Sequence, residues 1–343
     1  VSKAFQDIQL NGGILGGTQT ASFTLLSAGS GVVSAPLTGA GTLSMTGSGS
    51  LTISGSSPTY TGSLRATLGT VNLGSSVALG TLGKVDLGAQ ALLQTNGNDL
   101  TLQSLTGSGT LQNGSTTSAS TLTLAPSSDM ALSVQLKDGG SAALNVVKDG
   151  SSALNIARNQ SYSGTTLVRS GSLILSGGTL YDGVSSTTQV EVAQGGTFEL
   201  ATRTQRLSNF ALSGGTVQNG SLSVSGGYAL NAGVVTAVLG GAGQLQVGTA
   251  GGSAGNEVVL KTAATYTGAT NIASGKLTLA NSGSLGGGAL TVAGGTFSLG
   301  GLNQTVSSVT LSGGSIVSGN LKTAGGFALQ SGYISATMQA PSG

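Results

Sequence analysis

The groups in this chain best suited to acid–base, ionic or ring chemistry are ten carboxylates, twelve Lys and Arg side chains and six tyrosines. Glycoside hydrolysis needs two carboxyls ~5 to 9.5 Å apart, and Glu191 with Glu199 is the best such pair on sequence. A Gln194-Gly195-Gly196 turn separates them, so they are expected on different faces as two solvated charges. Asp138 and Asp149 each open an Asp-Gly step, which predicts two equivalent structural turns, because Gly tolerates positive φ and Asp tolerates the left-handed region. Neither lies in a calcium-binding GGxGxDxUx run. Arg203 and Arg206 form the one close basic pair, suited to an acidic glycan but read as a solvated face. Tyr60, Tyr162 and Tyr266 could form a ladder of sugar-stacking rings, yet their fixed place in a repeat is more simply explained by packing against their own coil.

With no cysteine and no histidine, the chain lacks thiolate ligands, the commonest metal ligand and the commonest general base. Its glycine pairs lack the strand-to-helix setting and Lys-Ser/Thr ending of a phosphate loop. No catalytic, cofactor-binding or metal-binding residue is therefore assigned, no cofactor is expected, and the chain is read as not an enzyme.

Composition says what must hold such residues in place. Glycine supplies 61 of 343 residues and charged residues 6%, while hydrophobic residues still reach 38%, enough for a long apolar core. That combination excludes the low-hydrophobicity, high-charge signature of disorder. The net charge of +2 comes from scattered Lys and Arg, without the basic stripe that neutralises phosphates, so nucleic acid is not an expected partner. Apolar runs stop short of the ~18 residues of a membrane-spanning helix. The alternating runs are also shorter than the ~9 to 11 residues of a membrane β-barrel strand.

The local pattern is short period-2 alternation broken by Gly-Gly or Gly-Ser, as in Gly275-Lys276-Leu277-Thr278-Leu279, which predicts strands of four to six residues. Helices are excluded, since interior glycine costs up to ~1 kcal/mol relative to Ala. A longer period appears at Tyr60, Tyr162 and Tyr266, which lie 102 and then 104 residues apart in a [ST]-Y-[TS]-G context. Two residues on come Gly62, Gly164 and Gly268, and nine residues on come Gly69, Gly171 and Gly275. Inward pairs follow in each copy: Val71 and Leu73, Leu173 and Leu175, Leu277 and Leu279. Residues 207–239 align with residues 306–338 at an offset of 99, setting Tyr228-Ala229-Leu230 against Phe327-Ala328-Leu329. A looser copy opens the chain around Leu10–Ile14 and Phe23–Leu25.

These features predict an all-β fold, a right-handed parallel β-helix of Gly-punctuated coils. Residues 1–343 are read as one continuous β-helix, a piece of a larger protein, built from about three degenerate modules of roughly 100 residues. At ~20 residues per coil and ~4.8 Å between coils, a rod of roughly 80 Å is expected. Residues 115–160 are the least repeat-like segment.

The run TYTGATNIASGKLTLANSGSLG, residues 265–286, and SYSGTTLVRSGSLILSGGTL, residues 161–180, resemble the passenger-associated transport repeat of bacterial type V autotransporters. TYTGSLRATLGTVNLG, residues 59–74, is a looser copy, and GGYALNAGVVTAVLGGAG, residues 226–243, resembles the linking stretch, so the similarity covers most of the chain. Residues 245–264 depart from the pattern. The resemblance implies an adhesin-like passenger exported by a C-terminal translocator barrel that is not among these residues, with surface adhesion, aggregation and biofilm roles. Any export signal is expected to have been removed or to lie outside these residues, since Val1 opens no charged-then-apolar run. The favoured reading is thus an extracellular stalk or multivalent adhesin at a bacterial cell surface. Its expected partners are cell-surface glycans, a host or neighbouring cell surface, or itself, without direct membrane insertion. The alternatives are a self-assembling fibre or matrix subunit, and a β-helical polysaccharide-active enzyme.

Overall fold

A computed structural model of the chain describes residues 3–75, 79, 83–180 and 189–340; the two ends of the 1–343 span assigned above lie outside them. Parallel strands stack as a β-solenoid of about 17 turns, with no helix among the described residues. The chain falls into two compact units, Val1–Thr166 with Leu175–Val184, and Leu167–Ile174 with Ser185–Gly343.

In the first unit, Lys3–Leu15 lies parallel to Ala21–Val33, with Lys3 opposite Ala21. The register continues as Leu26, Leu43, Leu64, Val85 and Leu105, each opposite the next. Every side chain in that row is buried. In the second unit two rows run through the same strands. Val190, Phe210, Tyr228 and Leu245 form one, and Val192, Leu212, Leu230, Val247, Ile272, Val292 and Leu311 the other. All of these are buried too. Period-2 alternation produces this arrangement, because it sends every second side chain inward, where a buried large aliphatic contributes about 1.5 to 3 kcal/mol.

Strand length departs from the expectation. Thr204–Gln218 and Ser221–Val235 each run 15 residues. The Gly-Gly punctuation at Gly214-Gly215 lies inside a strand instead of ending it. Pairing continues through the corner by way of register shifts between Leu212 and Ser213 and between Ser213 and Thr216, so a bulge bends the strand without releasing it.

Outward-facing polar side chains bond from coil to coil. Asn72 donates to Ser50 Oγ (2.7 Å), Gln94 to Asn72 Oδ1 (3.0 Å) and Gln112 to Gln94 Oε1 (3.0 Å). Beside them Asp86 accepts from Thr106 (3.0 Å) and faces Arg65 (3.8 Å). In the second unit Glu257 accepts from Thr278 (2.6 Å) and meets Lys276 (3.0 Å), and these partners hold its carboxyl below the usual range.

The segment 115–160 carries the one buried charged side chain among the described residues. Lys148 is buried and donates to the carbonyls of Asp149 (2.8 Å) and Gly150 (2.7 Å); burial lowers its pKa against the opposing effect of Asp149 and Asp129. Gln160 is buried and accepts from the Leu136 amide one coil back (2.7 Å).

The outermost described coils of each unit are less covered. Phe5 and Ile14 are 41% and 72% exposed, and Leu329 and Tyr333 are 55% and 62% exposed. Phe327-Ala328-Leu329 pairs with Val309–Leu311, but Phe327 and Leu329 are not buried as their counterparts Tyr228 and Leu230 are.

Candidate functional site

The two glutamates do not form a pair. Glu191 lies opposite Ala211 and Glu199 opposite Gln218, on either side of the bend in strand Thr204–Gln218. Glu191 accepts from Ser213 (3.1 Å). Glu199 accepts from the Ala201 amide (2.9 Å), from Gln218 (2.7 Å) and from Asn219 (2.7 Å). The carboxyl of Glu199 thus caps a tight turn in which Ala201 and Thr202 both have positive φ.

Asp138 and Asp149 do precede equivalent turns, Gly139 and Gly150 having φ of 81° and 74°. Their carboxylates act differently. Asp138 reaches the amides of Leu144 (2.9 Å) and Ser163 (3.0 Å), whereas Asp149 accepts from its neighbour Gly150 (2.8 Å). Arg206 is exposed on strand Thr204–Gln218, and Arg203 is half-buried just before it. Among the described residues no group of three potential metal ligands comes together.

The repeated tyrosines are core residues. Tyr60, Tyr162 and Tyr266 are all buried, so their rings offer no sugar platform. Tyr162 and Tyr266 bond through their hydroxyls to Thr166 and Thr270, four residues on, each at 2.7 Å. Leu64 takes that position after Tyr60, whose hydroxyl donates instead to the carbonyls of Gly41 (2.7 Å) and Ser63 (3.2 Å). Burial raises the pKa of all three, that of Tyr266 to about 12. Tyr266 also meets Tyr228 (6.1 Å between ring centres), which meets Phe210 (6.3 Å).

The motif's glycines have separate reasons. At Gly62, Gly164 and Gly268 a Cβ would fall on the carbonyl oxygen of Gly41, Leu144 or Gly243, one coil back. Gly69, Gly171 and Gly275 all take positive φ, 78°, 65° and 67°, which favours glycine.

The second unit carries an open groove of about 590 Å³. Its floor includes the corner glycines Gly214, Gly233 and Gly248 of successive coils, with φ of 116°, 127° and 64°. Corners of that conformation favour glycine, and without side chains they leave a trough. One wall comes from residues 249–256. The coil carrying them is long, since Gly233 pairs with Val258, 25 residues on, whereas Thr216 pairs with Val234, 18 residues on. Gln194, Asn231, Asn256 and Ser274 also line the groove, and no charged residue does. These four side chains make no hydrogen bond among the described residues, unlike the zipped amides of Asn72, Gln94 and Gln112. Ser274 is only 7% exposed, its hydroxyl seated against Gly248 and Gly252.

Sequence reasoning passed over the groove because its members lie on five coils and belong to no shared spacing. The one signal was the departure of residues 245–264 from the repeat. Compared with known proteins, the chain matches no family model and no curated protein.

Proposed function

We propose that this chain is a structural and adhesive segment of a bacterial surface protein, an autotransporter-like passenger that works outside the cell as a stalk or multivalent adhesin. A parallel β-solenoid fits a structural or adhesive repeat protein. The observation that carries the reading is that the residues shared with the transport repeat are the ones that hold the coils. The tyrosine fills the core, one glycine admits the preceding coil and the other turns the corner. Such a repeat serves construction, leaving attachment to the polar exterior, where weak contacts at many coils add up. Labelling intact source cells with antibody against the chain tests this under the electron microscope. A surface fringe is expected, and label confined to the cytoplasm overturns the proposal.

A further inference from the structure

We infer that the groove over Gly214, Gly233 and Gly248 binds an uncharged linear glycan laid across the stacked coils. Three observations converge on that class of ligand. The lining is polar but carries no charge, so it offers nothing to a polyanion or polycation. Its amides and hydroxyls at Gln194, Asn231, Asn256 and Ser274 have no protein partner among the described residues, whereas the amides of Gln94, Gln112, Asn271 and Asn320 are each bonded to a neighbouring coil. An amide with one donor and one acceptor side matches the paired hydroxyls of a sugar ring. Ser274, a residue only 7% exposed, adds a hydroxyl that bonds to no protein group among the described residues.

The spacing supports the orientation. Ala193 lies opposite Ser213, and Ser213 opposite Ala232, so the groove residues beside them repeat once per coil. Coils are ~4.8 Å apart, close to the length of one pyranose unit in an extended chain. A glycan running across the coils therefore presents one ring to each coil. A peptide is a poorer fit, because the lining has glycine and alanine where apolar side-chain pockets would be needed.

The inference deepens the adhesive reading and rests on it only for where the glycan comes from. Calorimetric titration of the whole chain with neutral linear hexasaccharides (β-1,4-glucan, α-1,4-glucan, β-1,4-mannan, β-1,4-xylan and chitin-type) tests it, with polygalacturonate as the charged comparison. At least one neutral hexasaccharide is expected to bind, more tightly than its disaccharide and independently of salt. The double change Asn231→Ala with Ser274→Ala should weaken it by about tenfold. Gln194→Ala, at an exposed position where folding is not at stake, should weaken it by about threefold. Failure of the whole neutral panel to bind, equal binding by the variants, or preference for polygalacturonate overturns the inference. No binding with surface label retained rejects the groove alone; binding without surface label rejects the extracellular reading alone.

Discussion

Tyr60 in the first unit and Tyr266 in the second occupy the same place in their repeats, are equally buried, and are held differently. Tyr266 closes on Thr270 within its own corner. Tyr60 reaches across to the Gly41 carbonyl one coil back, because Leu64 stands where the threonine would be. What the repeat preserves is the requirement that a buried hydroxyl find a partner, while the partner itself is free to change.

The part common to both sites is the ring, and its removal should have the largest effect. Tyr266→Ala and Tyr60→Ala are each expected to destabilise by about 3–5 kcal/mol, read from urea unfolding, with hydrogen exchange placing the loss in the coils around each site. A loss confined to one of the two would break the comparison.

Alkaline pH comes next. An unfolded tyrosine ionises near ~10, whereas burial holds Tyr266 neutral to about 12 and shifts Tyr60 the same way. The raised folded values mean that this stability is fully present below about pH 10 and is lost as pH climbs from there through about 12. Tyrosinate absorbance of the buried rings should therefore rise together with the loss of β-sheet circular dichroism, and Tyr266→Phe should flatten the decline. Ionisation of Tyr266 with the sheet signal intact would contradict its burial.

Thr270→Val sharpens the contrast, for it strands the Tyr266 hydroxyl and should cost about 1–3 kcal/mol. Adding Tyr266→Phe removes both partners and should restore most of that loss, a double-mutant cycle that Tyr60 has no equivalent threonine to support. The smallest effect belongs to Tyr60→Phe, about 0.5–1.5 kcal/mol. A larger value in the same melts would mean that the bond to Gly41 locks the neighbouring coil.

Much of this was legible in the sequence. Alternation at Leu277 and Leu279 read directly as two inward side chains, and both are buried. The glycines two and nine residues after each tyrosine stood out by recurrence, and each has a separate steric or conformational cause. Three features were not legible. The threonine four residues on is present in two copies out of three, so recurrence alone did not mark it. Lys148 reads as a turn lysine like Lys137, and only the direction of its side chain distinguishes a buried ammonium from a solvated one. The groove depends on which coils happen to be adjacent, and coil lengths that vary from 16 residues, as between Ala21 and Leu37, to 25, as between Gly233 and Val258, conceal that adjacency.

The short separation of paired strands, 16 to 25 residues, also bears on kinetics. Each new coil closes a loop of its own length and no more, so the entropic cost of adding the last coil is close to that of the first. A chain of 343 residues thereby keeps the low contact order of a far smaller domain, and growth can proceed by zipping from whichever end is first available. Assembly of that kind needs no distant segment to be present before a coil can close.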